Sequence, residues 1–340
     1  MEKKLVIKKP IVTTYTHHAY SFIALSNVNN AYKWIYSNYI QMYLNKDFTK
    51  NAWGDFYFPM PYEVKCYELC PYLRVEKNDF AYIIEKYNSP IEYIIESINR
   101  GFYIHILMDY FYVSQSPFFG KRKRKHDCLI YGYDEELKEL YCGDFMFSDI
   151  RSFSFGVIKF DEFEKGIKSV TNDTDHILNN YIYKMKPFES ERYEFNINNI
   201  IHGLRAYLKC TPPEYWLGYN FGNGQDIAWG LNCYNVFVDN LKKEPERMDL
   251  RFVYMFMDHK KIMIERLLFL KNELGIKGLE SVIEEYNAIY EELYKVLNLL
   301  IKYTLCNRDE VINQALEIIM GVRKKEDKSL KSMISILESE

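Results

Sequence analysis

A histidine and an aspartate mark the two ends of a segment whose pattern is that of two strands joined by a turn. The histidine is His126 and the aspartate is Asp144. Between them, residues 128–131 form a short apolar run, residues 132–136 are mostly polar, and residues 137–145 again carry bulky side chains. Two such runs around a polar turn predict a β-hairpin.

A turn centred on Glu135 sets the register of this hairpin. Three pairs of residues then oppose one another: Tyr131 with Glu139, Cys128 with Cys142, and His126 with Asp144. Directly opposed residues of an antiparallel pair have Cβ atoms ~5 Å apart, which is within reach of an imidazole-to-carboxylate hydrogen bond. Such a bond would fix the tautomer of the imidazole and leave its other nitrogen available as a general base.

The composition narrows the function classes. The chain has 340 residues, nearly half of them hydrophobic, and a net charge of -3 with a pI near 6.2. Nucleic-acid binding through overall basicity is therefore not expected, because phosphate neutralisation needs clustered positive charge. The first residues lack the apolar run of a signal peptide, and no apolar stretch is long enough to span a membrane, so we expect a cytoplasmic protein without a membrane partner.

The seven cysteines show no framework spacing and are interpreted as reduced thiols. Cys66 and Cys70 form a single C-x3-C pair with no second pair downstream. Structural zinc sites usually combine two such pairs, so the sequence predicts no metal site.

The elements around the hairpin follow from apolar spacing and capping residues. Helical spacing from His18 to Leu44 is interrupted at residues 27–30, which predicts two helices. Asp79 and Ser89 are placed to cap two further helices, and Gly101 ends the second of them. The apolar run 103–108 then predicts a buried strand that pairs with the hairpin.

A strand near residues 153–160 follows, and Asp161 is placed to cap a helix. From about Asn196 onward helical patterns dominate. We therefore predict an α+β chain with an antiparallel sheet in a core of residues 1–165 and a mainly helical domain of residues 166–340.

The order of an N-terminal helix, further helices, and strands carrying His and then Asp resembles papain-like folds. Residues 94–109, with Gly101 and a terminal Asp109, and residues 118–144, with the core His-Asp-x-Leu-Ile-Tyr-Gly-Tyr-Asp, resemble one branch of them. That branch is the family typified by the N-terminal domain of butirosin biosynthesis protein H. The resemblance covers the first half of the chain directly.

The resemblance implies an acyltransferase or amide synthase of antibiotic biosynthesis, as in nonribosomal peptide and thioamide clusters such as closthioamide. An acyl group would pass from a carrier-protein thioester to a small amine, with His126 as the base and Asp144 as its orienting acid. Tyr20 is expected to contact the substrate. Asp109, which ends the predicted buried strand, is expected either to bind a cationic amine or to hold a structural turn. No cofactor is implied beyond the phosphopantetheine arm of the carrier protein.

The nucleophilic cysteine of the family should lie at the start of the first helix, where this chain has Thr16-His17-His18-Ala19. Thr16 stands at that position either as a nucleophile or as a helix N-cap. The positive end of the helix dipole favours neutral imidazoles at His17 and His18. A neutral imidazole there can bind the thioester carbonyl or accept the proton of the amine.

Five consecutive basic residues precede His126: Lys121, Arg122, Lys123, Arg124 and Lys125. They are interpreted either as a solvated loop or as the docking site of an acidic acyl or peptidyl carrier protein, which positive charge would steer towards the site. A homo-oligomer is compatible with the sequence.

The missing cysteine leaves two other hypotheses open. One is a catalytically inactive papain-like protein that binds a peptide-like metabolite or a carrier protein. The other is a cysteine peptidase, which ranks last because it also requires the missing thiol.

Overall fold

The computed structural model describes residues 1–58, 64–87, 89–147, 152–171, 181–190, 193–213 and 226–339. Their contacts divide the chain into two compact units. Unit 1 contains Met1–Ala31 and Lys65–Arg192, and unit 2 contains Tyr32–Val64 and Tyr193–Glu340. Among the described residues, no helix combines the length and apolar character needed to cross a membrane.

Helices and strands alternate in the first half of the chain, and helices dominate the second half. The helices are α1 (Thr16–Ala24), α2 (Ala31–Asn38), α3 (Phe80–Lys86), α4 (Pro90–Asn99), α5 (Phe160–Thr171), α6 (Ile197–Lys209), α7 (Asn232–Lys243), α8 (Arg251–Asn272), α9 (Glu280–Cys306) and α10 (Asp309–Leu337). The strands are β1 (Glu2–Lys4), β2 (Met42–Asn45), β3 (Gly54–Phe56), β4 (Leu73–Asp79), β5 (Tyr103–Asp109), β6 (Lys125–Asp134), β7 (Glu139–Asp144), β8 (Ser154–Lys159), β9 (Tyr181–Pro187) and β10 (Ile227–Trp229). Short 3-10 helices occur at Cys66–Leu69, Tyr110–Tyr112 and Pro245–Arg247. The prediction of an α+β chain with a mainly helical C-terminal half is confirmed.

Several local predictions are also confirmed. The interruption near residues 27–30 separates α1 from α2, but the helical pattern was expected to reach Leu44, and Met42–Asn45 instead form β2. Ser89 caps α4 by accepting a hydrogen bond from the backbone N–H of Ile91 at 3.1 Å. Gly101 follows that helix with a φ of +85°, a conformation that favours glycine at a helix end.

The sheet of unit 1 is antiparallel, with the strand order β4-β9-β5-β6-β7-β8 and with β1 paired to β6. Alternate residues of β5 and β6 point to opposite faces. One face carries Ile106 and Cys128 and belongs to an apolar core that includes Ile94 of α4 and Phe163 of α5. The other face carries His105, whose ring lies 4.9 Å from that of Tyr20 of α1. The sheet therefore has α4 and α5 on one face and α1 on the other.

The predicted register of the hairpin is wrong by three residues next to the turn and by two residues at the end that carries His126. Leu129 pairs with Gly143 and Asp134 pairs with Glu139, so the turn lies at residues 135–138. Two features cause the difference. The carboxylate of Asp134 accepts hydrogen bonds from the N–H groups of residues 136 and 137 and so begins the turn later. The pairing also shifts between Ile130 and Gly132, where a β-bulge leaves an extra residue.

The division into units differs from the expected boundary near residue 165. Residues 166–192 belong with the N-terminal core, because β9 pairs with both β4 and β5. Residues 32–64 belong with the C-terminal half, because β2 pairs with β10. All three pairings join segments that are far apart in the chain, and local sequence patterns do not indicate such partners.

Candidate active site

His126 and Asp144 form the hydrogen-bonded pair that the sequence predicts. His126 is the second residue of β6 and Asp144 is the last residue of β7. The Nδ1 atom of His126 lies 2.9 Å from Oδ1 and 3.1 Å from Oδ2 of Asp144. The register places the two residues diagonally rather than directly opposite, but a shift of two residues keeps both side chains on one face.

The surroundings of Nδ1 fix the tautomer of His126. Besides the Asp144 carboxylate, Nδ1 lies 3.1 Å from the carbonyl oxygen of Asp127. Both partners only accept hydrogen bonds, so the proton of the neutral imidazole resides on Nδ1. The lone pair of Nε2 is then available to accept a proton, as a general base requires.

The Asp144 carboxylate is held on its other side. Its side chain is fully buried, whereas the imidazole of His126 is 25% exposed. Oδ1 of Asp144 accepts hydrogen bonds from the backbone N–H of Phe145 at 2.6 Å and from the hydroxyl of Tyr20 at 3.3 Å. These donors orient the carboxylate towards His126.

Tyr20 lies beneath this pair and not on an open surface. Its side chain is fully buried, and its hydroxyl also lies 3.0 Å from the carbonyl oxygen of Asp127. Burial and the nearby charge of Asp144 raise the pKa of Tyr20 well above its usual range, so it remains a hydrogen-bond donor. The structure thus gives Tyr20 a positioning role in place of the expected substrate contact.

Opposing effects set the pKa of His126. Burial lowers the pKa of the imidazole, but the charge of Asp144 and its hydrogen bond raise it, as does Asp127. The net result is a pKa above the ordinary value for histidine. A raised pKa makes Nε2 a stronger base, although only the fraction that is unprotonated can act.

A second histidine–carboxylate pair, which the sequence reasoning missed, involves His105 and Asp127. The Nε2 atom of His105 lies 3.2 Å from Oδ1 of Asp127, and its Nδ1 atom lies 2.8 Å from the hydroxyl of Tyr67. Burial would raise the pKa of Asp127, but His105 and Lys65 hold it well below its usual range. A useful signal was available, since β5 and β6 were expected to pair and each carries one of the two residues.

Thr16 joins this second pair. Its hydroxyl donates to Oδ2 of Asp127 at 2.9 Å. Thr16 is the first residue of α1, and the N-cap position belongs to Tyr15, so the N-cap interpretation of Thr16 is wrong. Within the described part of the chain, the Thr16 hydroxyl makes no hydrogen bond with His126.

One cavity of about 290 Å³ borders residues of both pairs. Its walls include His126, Asp127 and His105 together with two lysines, Lys65 and Lys125. Tyr181 and Tyr183 of β9 complete the lining with Ile106 and Leu107. A cavity of this size is at the lower end of the range for small-molecule sites, and it combines a base, cationic groups and aromatic surface.

His17 and His18 lie at the start of α1, as expected, but His18 is buried. The ring of His17 stacks on that of Tyr15 with centroids 5.7 Å apart. The Nδ1 atom of His18 lies 3.4 Å from the Sγ atom of Cys66. A thiol therefore does lie beside the first helix, but it comes from the 3-10 helix Cys66–Leu69 and not from α1 itself.

Asp109 is not placed to bind an amine. Its side chain is fully buried. The carboxylate accepts hydrogen bonds from the N–H groups of Phe111 at 3.1 Å and Arg124 at 2.9 Å, and from the hydroxyl of Ser169 at 2.9 Å. These bonds fix the turn that precedes β6, because the carboxylate satisfies backbone donors on both sides of it.

The basic run before His126 is largely on the surface. Lys121, Arg122 and Lys123 are exposed, whereas Arg124 and Lys125 are half-buried. Lys125 opens β6 and lines the cavity. Positive charge is therefore continuous from the surface to the wall of the candidate site.

Comparison with models of known protein families finds no match, and comparison with curated proteins finds none either. The resemblance to the butirosin biosynthesis protein H family accordingly depends only on the residues quoted for it.

Proposed function

We propose that the chain is a papain-like acyltransferase that condenses a carrier-bound thioester with a small amine. One observation carries the proposal. A buried carboxylate, Asp144, holds Nδ1 of His126 at 2.9 Å, while the imidazole remains partly exposed beside an open cavity. Carboxylate–imidazole pairs with this orientation serve as general bases in acyl transfer.

In the proposed reaction, the His126–Asp144 pair accepts the proton that the attacking amine loses. The amine nitrogen attacks the thioester carbonyl carbon, and Nε2 of His126 takes the proton that the nitrogen loses. The carbon–sulfur bond then breaks, and the leaving thiolate takes the proton from the imidazolium. The thioester supplies the driving force, so the step needs no nucleoside triphosphate.

The lining of the cavity supports charge development in this reaction. Lys65 and Lys125 bring positive charge to its wall, where a tetrahedral intermediate would carry an oxyanion. Tyr181 and Tyr183 offer apolar surface to an acyl chain. Orientation of two reactants in such a site can contribute ~7 to 11 kcal/mol in favourable cases.

Direct attack by the amine requires no enzyme nucleophile at the start of α1, where this chain has a threonine. A threonine hydroxyl needs strong activation to act as a nucleophile. The Thr16 hydroxyl instead donates to Asp127, 2.9 Å away. In this proposal Thr16 positions Asp127, and no acyl-enzyme forms.

A second candidate is a non-catalytic protein that binds a peptide-like metabolite or a carrier protein. It is favoured by the sequence at the start of α1, where the family has its nucleophile and this chain has Thr16-His17-His18-Ala19. Both candidates use the same cavity, so turnover is the property that distinguishes them.

The test combines the purified protein with synthetic acyl thioesters, both free and carrier-bound, and a panel of primary amines. Amide product is measured by mass spectrometry for the native chain, for His126→Gln and for His202→Gln, an exposed histidine of α6 in unit 2. General base catalysis typically contributes ~10²–10⁴-fold, so His126→Gln should lose about that factor while His202→Gln keeps full activity. Equal rates for both variants would refute the role of His126. Tight binding without product across the panel would favour the second candidate, and a covalent acyl adduct in intact-mass spectra would exclude direct aminolysis.

A further inference from the structure

Three side chains with metal-ligating atoms meet beside the start of α1. They are His17, His18 and Cys66, and one ligand atom of each lies within 4.8 Å of the others. The Sγ atom of Cys66 is 3.4 Å from Nδ1 of His18, and the rings of His17 and His18 have centroids 4.1 Å apart. The acyl-transfer mechanism above uses none of these atoms as its base.

We propose that His17, His18 and Cys66 form a binding site for Zn²⁺. Two imidazoles and a thiolate are a ligand set that suits this ion. Sites with three protein ligands keep a fourth position for water or a substrate atom. The inference goes beyond the proposed function, because it assigns a metal to residues outside the His126–Asp144 pair.

The distances are compatible with tetrahedral coordination. With Zn–S of about 2.3 Å and Zn–N of about 2.0–2.1 Å, a tetrahedral angle separates the sulfur and the nitrogen by about 3.5 Å. The observed separation of Cys66 Sγ and His18 Nδ1 is 3.4 Å. The widest separation in the cluster, at most 4.8 Å, must close by up to about 1.5 Å, which side-chain rotation of the half-buried His17 can supply.

The fold holds two of the ligands firmly. His18 and Cys66 are both buried with no exposed surface. The carbonyl oxygen of His18 accepts a hydrogen bond from the Ser21 hydroxyl at 2.7 Å, which fixes the first turn of α1. Cys66 begins the 3-10 helix Cys66–Leu69, which packs on α1, so the metal would tie together two segments that are distant in sequence.

Metal binding would replace the contact between the Cys66 thiol and the His18 imidazole. The thiol must lose its proton to become a ligand, so uptake releases a proton and weakens as the pH falls. The alternative is that Cys66 and His18 form only a thiol–imidazole hydrogen bond and that the cluster binds no metal.

The test uses full-length protein that has been treated with a chelator and then titrated with Co²⁺ or Zn²⁺ alone. We expect one Zn²⁺ per chain after dialysis and, with Co²⁺, a thiolate-to-metal charge-transfer band. Cys66→Ser should abolish the band and weaken Zn²⁺ binding by at least about 100-fold. Cys70→Ser is the matched control, because Cys70 is a buried thiol that follows the same 3-10 helix and lies outside the cluster, and it should keep both signals.

A second variant guards against misfolding of Cys66→Ser. His17→Gln changes the most exposed of the three ligands and should weaken Zn²⁺ binding while circular dichroism stays unchanged. Absence of stoichiometric uptake by the native chain, or a charge-transfer band that persists in a folded Cys66→Ser variant, would overturn the proposal. Because the readout is metal content and absorbance, failure here is separate from failure of the acyltransferase proposal.

Discussion

Replacement of Asp144 by asparagine tests how the carboxylate acts on His126. In the native chain Asp144 accepts hydrogen bonds from His126 Nδ1, the Phe145 N–H and the Tyr20 hydroxyl. An asparagine has one oxygen, and Phe145 and Tyr20 require it as an acceptor. Its NH₂ group then takes the place of Oδ2, which lies 3.1 Å from Nδ1 of His126, and can only donate to it, while the amide oxygen keeps the place of Oδ1 at 2.9 Å.

The expected consequence is a change of tautomer. The new amide donor beside Nδ1 favours the neutral imidazole with its proton on Nε2, which can then no longer accept a proton from the amine. Loss of the correct tautomer removes general base catalysis, for which we expect a fall in kcat of ~10²–10⁴-fold. This corresponds to about 3 to 5 kcal/mol in activation free energy.

Nitrogen-15 NMR of the imidazole and the rate of amide formation measure the two effects separately. The native spectrum should show the Nδ1–H tautomer for neutral His126, and Asp144→Asn should show the Nε2–H tautomer. The pKa of His126 should also fall in the variant, because the charge that raises it is gone. An Nε2–H tautomer in the native chain, or an unchanged pKa in the variant, would refute the reasoning whatever the activity.

Two further predictions concern the surface and unit 2. Lys123 is exposed in the basic run, so Lys123→Glu should raise KM for a carrier-bound thioester several-fold. KM for a free synthetic thioester should stay unchanged, and equal effects on both donors would argue against carrier docking there. Glu326 is the buried partner of Lys260 and accepts a hydrogen bond from the Tyr234 hydroxyl at 2.8 Å. Glu326→Ala should therefore lower the free energy of unfolding by ~3–5 kcal/mol in urea titrations. Glu317→Ala, at an exposed position of the same helix, should change it little. Burial lowers the pKa of Lys260 to about 8 even with Glu326 raising it, so the buried ammonium group depends on this partner, and a loss below 1 kcal/mol would contradict that dependence.

The hairpin shows what a single sequence can predict. Its existence follows from two runs of bulky residues around a polar turn, and the pairing of His126 with Asp144 was predicted from a turn centred on Glu135. The register does not, because the turn depends on Asp134 accepting local N–H bonds and because a bulge follows Ile130. The site survives the error because a shift of two residues preserves the face of each side chain.

The rest of the site required contacts between distant segments. Cys66 meets His18 only because the 3-10 helix packs on α1, and no local pattern indicates that packing. The cavity wall formed by Tyr181 and Tyr183 depends on β9 lying between β4 and β5, although β9 follows both of them by many residues in the chain. The sequence left two roles open for Asp109, an amine contact or a structural turn, and its hydrogen bonds from Phe111, Arg124 and Ser169 support the turn.

The most direct test of the central claim compares two midpoints for the same imidazole. NMR titration gives the pKa of His126 in the free protein, and kcat/KM for amide formation gives the pKa of the essential base. His126 accepts a proton only when it is neutral, so the rate should rise with pH through its raised pKa. Coincidence of the two midpoints is the predicted result, and a kinetic midpoint that differs from the His126 titration, or that persists unchanged in His126→Gln, would contradict the account.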